Sequence, residues 1–301
     1  YRMSNGMIEL YVVTDVGPRV IDLRPVGGEN MFYVFEDQLG KSGEPTLQLR
    51  GGWRLWIAPE RFETTWLPDN EPCEVHRTSE NSILVIAPPQ EPAGIQKIVA
   101  VTIYPDQPRV RVVQKVRNIS DRPLTYALWS LSMMRPGGKA IAPLDQLDPS
   151  ELAAIRAVNL WSYTEMTDPR YYWGEKLIIV DQSKVPPPPE GQVGRRDDES
   201  KIGIFTRQGW VAYWIDGNLY IKRFPYVPGA TYPDNNSTVE IYSCHKFIEC
   251  ENLGPLTTFG PGEEIVMPED WYLFTGVKLG ETEDEIYNTL RSYLALTKPV
   301  E

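Results

Sequence analysis

The chain alternates between apolar and polar residues over most of its length, and short turn-forming segments interrupt the alternation repeatedly. A period of two predicts β-strands, because successive side chains of a strand point to opposite faces of the sheet. The predicted strands are Ile8–Thr14, Arg19–Arg24, Trp53–Ala58, Ile83–Ala87, Ile95–Tyr104, Arg109–Asn118, Leu124–Met133, Leu177–Val180, Trp210–Asp216, Asn218–Phe224, Thr238–Ser243, Lys246–Glu251 and Trp271–Lys278. We therefore predict a large all-β protein.

Two segments carry the signals of a helix start. In each, a capping residue is followed three positions later by Glu, the arrangement known as a capping box. Asp148-Pro-Ser-Glu151 precedes Leu152 and Ile155. Thr282-Glu-Asp-Glu285 precedes apolar residues spaced to form one stripe of a helix, Ile286, Leu290, Tyr293 and Leu294. We expect few, short helices, including one at the C-terminal end.

The segment at about 182–201 interrupts the strand pattern. Pro186 to Pro189 are followed by a run of Gly, Arg, Asp and Glu with almost nothing to bury. This composition predicts an exposed loop. Strands of the same kind continue on both sides of the loop, so we predict a single domain over residues 1–301.

The composition limits the chemistry. The 301 residues include 27 prolines, 9 tryptophans and 16 tyrosines but only 2 histidines, His76 and His245. Proline breaks helices and central strands, which fits a chain that turns often. Two histidines nearly exclude a mechanism that needs several histidine ligands, and three scattered cysteines are too few for a zinc site. We therefore expect no metal and no cofactor.

The charge and the apolar runs exclude further classes. A net charge of −11 repels phosphate backbones and argues against nucleic acid as a partner. No apolar stretch approaches the roughly 20 residues of a membrane helix, so no membrane span is expected. The chain begins with Tyr1 rather than Met, which indicates a processed or trimmed N-terminus and leaves secreted, periplasmic and cytoplasmic locations open.

The densest group of polar and aromatic residues is Arg50-Gly-Gly-Trp-Arg-Leu-Trp-Ile-Ala-Pro-Glu60. In an extended segment, Arg54 and Trp56 share one face with Ala58. An arginine beside tryptophans suits a sugar, because the ring stacks on aromatic faces and the guanidinium donates to hydroxyls. The alternative is that the tryptophans belong to the core and Arg54 pairs with a buried carboxylate such as Glu60.

The second group is His245-Lys-Phe-Ile-Glu-Cys-Glu-Asn-Leu-Gly-Pro255. On a strand, His245, Phe247, Glu249 and Glu251 point the same way. If this face lies in a cleft, repulsion and burial raise the pKa of one carboxylate and make it a candidate general base. The alternative is an edge strand that presents its carboxylates to water.

These groups carry a resemblance to the galactose mutarotase-like superfamily, the aldose 1-epimerases and their relatives. Four motifs occur in the expected order: Asn5–Leu10 with Asp15–Leu23 and Gly28-Glu-Asn; Arg50-Gly-Gly-x-x-x-Trp56; Val110–Leu124 with its Asn118-x-Ser-Asp-x-Pro123 turn; and Ile248–Pro255 followed by Phe259–Glu264 and Trp271. The resemblance covers most of the chain and is closest to an uncharacterised branch. It implies a large antiparallel β-supersandwich.

The resemblance also implies a chemistry and its residues. Mutarotases open the sugar ring with a carboxylate base at the anomeric hydroxyl and a histidine acid at the ring oxygen. The resemblance assigns the base to Glu251 or Glu249. It places the acid in Tyr126–Met134, where this sequence has no histidine. Arg50 resembles a residue near the phosphate of hexose-6-phosphate epimerases, although the net charge opposes an anionic ligand.

Three hypotheses follow. The first is a protein that binds a mono- or oligosaccharide between the Arg54/Trp56 and Glu249/Glu251 strands, with Lys222 and His245 as further polar contacts. The second is a carbohydrate-active enzyme, an aldose epimerase or a lyase, with Glu251 as general base. The third is a structural or interaction module whose cleft is closed by its own side chains. The candidate catalytic residues are Glu251, Glu249 and His245, and the candidate substrate-binding residues are Arg50, Arg54, Trp56, Glu60 and Lys222.

Overall fold

The structure, a computed structural model, describes residues 1–146, 150, 152, 154–185 and 198–300. The described residues form two antiparallel sheets of ten strands each. The strands are β1 (Arg2–Ser4), β2 (Ile8–Val13), β3 (Arg19–Pro25), β4 (Trp53–Ala58), β5 (Glu74–Ser79), β6 (Ser82–Ile86), β7 (Ile95–Ile103), β8 (Arg109–Asn118), β9 (Leu124–Met134), β10 (Lys139–Pro143), β11 (Val158–Leu160), β12 (Tyr171–Trp173), β13 (Leu177–Asp181), β14 (Ser200–Ile204), β15 (Trp210–Ile215), β16 (Asn218–Arg223), β17 (Val239–Ser243), β18 (Ile248–Leu253), β19 (Thr257–Phe259) and β20 (Glu264–Phe274).

The first sheet has the order β1-β2-β3-β4-β9-β18-β17-β14-β11, with β19 paired to β9. The second has the order β12-β13-β10-β15-β16-β20-β8-β7-β6-β5. The predicted all-β class is confirmed, and each predicted strand corresponds to a strand of the structure. The strands that the alternation did not predict are the three-residue strands, the fully exposed β5, and β10 and β14, which are buried on both faces and therefore have no exposed face.

The main core lies between the two sheets. On β4, Trp53, Leu55 and Ile57 point into it, and Val110 and Val112 of β8 meet them from the other sheet. Each of these side chains is nearly inaccessible to water. Because side chains alternate along β4, burying this face directs the intervening residues to the outer face of the first sheet.

Helices are few. The C-terminal helix α2 (Glu283–Leu294) begins with the predicted capping box, in which Thr282 and Glu285 cap each other. Its apolar stripe places Ile286 and Leu290 on the outer face of the second sheet, against residues such as Ile221. A helical turn, α1 (Pro233–Asn236), and three-residue 3₁₀ helices at Glu36–Gln38, Glu91–Ala93 and Gln182–Lys184 complete the described elements.

Two predicted features, a helix and a loop, lie partly outside the described residues. The start of the helix predicted from Asp148–Glu151 lies outside the described residues, apart from Ser150, whereas Leu152 and residues 154–157, which would continue it, are not helical. The loop predicted at about 182–201 is described only at its two ends, and both ends differ from the expectation. Gln182 is buried in a 3₁₀ helix, and Lys201 is buried in strand β14. None of the helices in the described part of the chain is long and apolar enough to cross a membrane.

Candidate functional site

A pocket of about 340 Å³ opens on the outer face of the first sheet. Its floor is formed by five strands in spatial order, β4, β9, β18, β17 and β14. It is lined by Leu49, Arg54, Trp56, Glu60, Trp66, Trp129, Leu131, Trp161, Tyr163, Glu199, Lys201, Tyr242, Phe247, Glu249 and Glu251. The pocket therefore combines residues that lie far apart along the chain.

Paired glycines position the first of these strands. Gly51 and Gly52 adopt positive φ angles of 93° and 72°, a region that glycine enters without steric cost. A Cβ atom at Gly51 would lie 2.1 Å from the carbonyl oxygen of Tyr33, and one at Gly52 would lie 2.2 Å from that of Val20. The backbone therefore approaches its neighbours closely here, and this approach sets the position of β4, whose Arg54 points into the pocket.

Arg54 crosses the pocket floor to reach strand β18. Its Nη1 atom donates to Glu249 Oε1 at 2.8 Å, and its guanidinium stacks 4.3 Å from the ring centre of Trp56. Burial raises the pKa of Glu249 above its usual value, and Arg54 offsets only part of this effect. The Nε atom of Arg54 is buried without a hydrogen-bond partner.

Glu251 is completely buried, and one of its two carboxylate oxygens is held from two sides. Its Oε2 atom accepts from the indole Nε1 of Trp129 at 2.7 Å and from Nζ of Lys201 at 3.0 Å. Its Oε1 atom has no partner. The Glu251 carboxylate thus has a fixed orientation and one vacant acceptor at the pocket floor.

Lys201 is shared between two carboxylates. Its Nζ atom lies 2.7 Å from Glu240 Oε2 and 3.0 Å from Glu251 Oε2, and all three residues are buried. Burial alone would lower the pKa of Lys201, but Glu240 and Glu251 together raise it above its usual value. Burial also raises the pKa of Glu240 well above its usual range. Lys201 therefore keeps its proton near neutral pH and serves as a fixed cation.

Aromatic rings form the walls. Trp129 packs edge-on against Trp56, and the ammonium of Lys201 lies 4.4 Å from the ring centre of Trp129 and 4.8 Å from that of Trp161. Burial raises the pKa of both Tyr163 and Tyr242, so their phenols remain protonated at neutral pH. The walls thus offer flat apolar surfaces with hydroxyl groups at their edges.

Comparison with solved structures identifies the architecture. A candidate aldose 1-epimerase from Klebsiella pneumoniae is 10% identical and superimposes with a TM-score of 0.61 over 97% of this chain and 81% of its own. A galactose mutarotase-like protein from Lactobacillus casei is 11% identical, with a TM-score of 0.50 over 91% of this chain and 99% of its own. The chain has the galactose mutarotase-like fold. No protein-family model and no curated protein sequence matches it.

The mutarotase-like fold brings together most, but not all, of the residues singled out in the sequence. Arg54, Trp56, Glu249 and Glu251 line one pocket, as the alternation on β4 and β18 predicts. Glu60 lies exposed at the rim and accepts from Trp66 Nε1 at 2.9 Å. Arg54 therefore pairs with Glu249 and not with Glu60, the partner considered in the sequence analysis.

Three candidates lie outside the lining of the pocket. Arg50 is buried beside it and binds Glu44 Oε2 at 2.6 Å and Asn70 Oδ1 at 3.0 Å. Lys222 points between the two sheets, where it donates to Ser130 Oγ at 2.9 Å.

His245 was expected to share the face of Glu249, but β18 begins only at Ile248. His245 lies in the tight turn between β17 and β18, where Cys244 N donates to Phe247 O at 3.0 Å. The turn reverses the chain and directs the imidazole to Asp198 instead of the pocket.

Four further residues at or beside the pocket were not predicted from the sequence: Lys201, Glu240, Trp129 and Tyr242. Trp129, Glu240 and Tyr242 nevertheless occupy outward positions of alternating segments: Glu240 and Tyr242, for example, flank the core residue Ile241. This alternation is the signal that was available. Within the described residues, no cluster of three or more His, Cys, Asp and Glu side chains is arranged to hold a metal ion.

Proposed function

We propose that the pocket binds a sugar ring. The observation that carries this proposal is the set of buried, unpaired polar atoms among its lining residues: Glu251 Oε1 as acceptor, and Arg54 Nε and Trp56 Nε1 as donors. A buried polar atom without a partner is costly, and a ligand that satisfies it recovers that cost. Sugar hydroxyls both donate and accept, so they can pair with unpaired atoms of either kind.

The walls and the size of the pocket support the same ligand. The rings of Trp66 and Trp161, the tryptophans of the lining that are not buried, provide flat surfaces for the apolar C–H faces of a sugar. A volume of about 340 Å³ lies at the lower end of the range for small-molecule sites. A closed structural module is less favoured, because this volume remains open even though Arg54 and Lys201 are both paired.

The pairing of charges favours a neutral sugar over a phosphorylated one. Both cations of the described lining, Arg54 and Lys201, are already neutralised by carboxylates. Arg50, which resembles a residue near a phosphate, is bound by Glu44 and Asn70 outside the pocket lining. A phosphate group in the pocket would meet acidic side chains without a free cation of the described lining to offset their charge.

Binding is tested by isothermal titration calorimetry with glucose, galactose and their 6-phosphates. We expect saturable binding of at least one neutral sugar and no gain in affinity from the phosphate. Absence of binding by every neutral sugar, including disaccharides, would contradict the proposal. Tighter binding of a 6-phosphate than of its parent sugar would contradict the argument from charge.

A second candidate function is ring opening or another proton abstraction with Glu251 as base. The unpaired Oε1 of Glu251 favours it, because this oxygen has no protein partner while Oε2 is held. Binding is preferred because the described lining contains no histidine acid and Lys201 holds its proton. The rate at which freshly dissolved α-glucose and α-galactose convert to their β anomers, measured by proton NMR, decides between the two functions. Conversion faster than in buffer alone would show that the protein is an enzyme.

A further inference from the structure

A row of four aromatic rings runs from the pocket floor to the protein surface. The ring centres of Trp129 and Trp56 lie 5.5 Å apart, those of Trp56 and Trp66 lie 5.1 Å apart, and those of Trp66 and Phe62 lie 6.0 Å apart. The exposed fraction rises along the row from 2% at Trp129 and 3% at Trp56 to 37% at Trp66 and 77% at Phe62. The row therefore leads out of the pocket and ends in an open apolar surface.

Phe62 lies beyond the pocket itself, because Trp66 belongs to the lining and Phe62 does not. A single exposed aromatic residue is ordinary on a protein surface. This one differs because it extends a continuous aromatic surface whose inner part faces a candidate sugar site. The outer pair, Trp66 and Phe62, is placed where a ligand longer than one ring would emerge.

The outer pair stands on an ordered segment. Thr65, which is buried, donates through Oγ1 to the carbonyl of Ile57 at 3.0 Å and accepts from the backbone of Arg61 at 3.1 Å. The indole of Trp66 is held by Glu60 at 2.9 Å. Rings that are fixed before a ligand arrives lose little conformational entropy on binding. Trp66 is thus held in place, and Phe62 packs against it.

We propose that Trp66 and Phe62 form a second subsite, which takes the next sugar ring of an oligosaccharide whose terminal ring fills the pocket. This inference rests on the proposed function and names its substrate class: saccharides of two or more residues. The pocket and the second subsite would use the same chemistry, because every ring of an oligosaccharide has an apolar C–H face that packs on an aromatic ring. Glu60, exposed at the rim, adds a hydrogen-bond acceptor for hydroxyls of the second ring.

Calorimetric dissociation constants for monosaccharides and the corresponding disaccharides test this subsite: galactose with lactose, and glucose with cellobiose and maltose. For the wild-type protein we expect at least one disaccharide to bind about 3- to 10-fold more tightly than its monosaccharide, as stacking on one ring provides. Phe62→Ala is expected to abolish this preference and to leave monosaccharide affinity unchanged. Phe62→Tyr keeps the ring and is expected to keep the preference.

Leu296→Ala serves as the matched control, because Leu296 is also an exposed apolar residue (66%) and follows α2, which packs on the second sheet. Monosaccharide binding without any disaccharide preference would overturn the subsite while leaving the proposed function intact. Failure of all sugars to bind would overturn both. Equal losses of affinity for mono- and disaccharides in Phe62→Ala would also overturn the subsite. So would a different role for Phe62: a wild-type dimer, seen by sedimentation, that Phe62→Ala dissociates while disaccharide affinity stays the same.

Discussion

Trp129 Nε1 donates to Glu251 Oε2 at 2.7 Å, and the two residues lie on the paired strands β9 and β18. Because the indole cannot rotate away from its packed position against Trp56, it fixes the rotation of the carboxylate. Glu251 Oε2 is thereby committed to the protein, whereas Oε1 is buried and has no protein partner. The two oxygens of this carboxylate are therefore not equivalent.

The first prediction concerns Glu251 and its matched control, Glu240. Both carboxylates contact Lys201, but only Glu251 lines the pocket. Glu251→Gln is expected to weaken the binding of a neutral sugar at least about 10-fold, the usual loss for a hydrogen bond to a charged group. Glu240→Gln is expected to change it by less than about 2-fold. Calorimetry on the two variants checks this, and equal losses would remove the special role of Glu251.

The second prediction concerns Lys201. Lys201→Met leaves Glu240 and Glu251 buried without their cation, and it is expected to lower the free energy of unfolding by about 3–5 kcal/mol at pH 7. The double variant Lys201→Met/Glu240→Gln is expected to recover part of this loss, because one of the two buried carboxyl groups left without a cation is replaced by a neutral amide. Urea denaturation measures both. A single variant as stable as the wild type would show that the ion group contributes nothing.

The third prediction concerns Arg50. Its guanidinium is buried and binds Glu44, Asn70 and the backbone of Gln38. Arg50→Met is therefore expected to cost about 2–3 kcal/mol of unfolding free energy and to leave the affinity for a neutral sugar within about 2-fold. Parallel urea denaturation and calorimetry separate the two effects. Loss of affinity in a variant that remains stably folded would place Arg50 in the site after all.

The fourth prediction concerns pH and Lys97. Burial lowers the pKa of Lys97 to about 8, against 10.5 for an unperturbed lysine. Between these values the unfolded chain binds a proton that the native protein has lost, so this residue makes the free energy of unfolding rise with pH. Below about pH 8 both states are protonated, and the buried charge costs the native state about 3 kcal/mol.

Lys97→Met removes this charge while keeping a similar side-chain volume. The variant is expected to be more stable than the wild type at pH 7, and its advantage is expected to shrink as the pH rises towards 10.5. Chemical denaturation at pH 7 and pH 10 measures the two differences. An advantage that does not depend on pH would contradict the assigned titration.

The sequence predicted the local part of the site well. Alternation on β4 places Arg54 and Trp56 opposite the core residues Trp53 and Leu55, which the structure confirms. The same rule predicted that Glu249 and Glu251 share a face. Alternation does not predict which strands pair with each other when they lie far apart in the chain. β9 lies between β4 and β18, and this order brings Arg54 to Glu249 across 195 positions.

The missed and misplaced residues have separate physical causes. Lys201 follows a polar segment and is a residue type that is rarely buried, so nothing local predicts its burial. It is buried because Glu240 and Glu251 on two other strands neutralise it. His245 was predicted to lie on a strand because the pattern of residues around it is typical of an extended segment. The tight turn at Cys244–Phe247 is decided by the pairing of β17 with β18.

The most direct test of the sugar site uses the indole N–H signals of the tryptophans in a ¹⁵N-labelled protein, assigned through Trp→Phe variants. Titration with glucose, galactose and lactose is expected to shift the signals of Trp56 and Trp129, which line the pocket. Those of Trp53 and Trp271, which lie in the core between the sheets, are expected to stay in place. Signals of Trp56 and Trp129 that remain unmoved at saturating sugar would contradict the account.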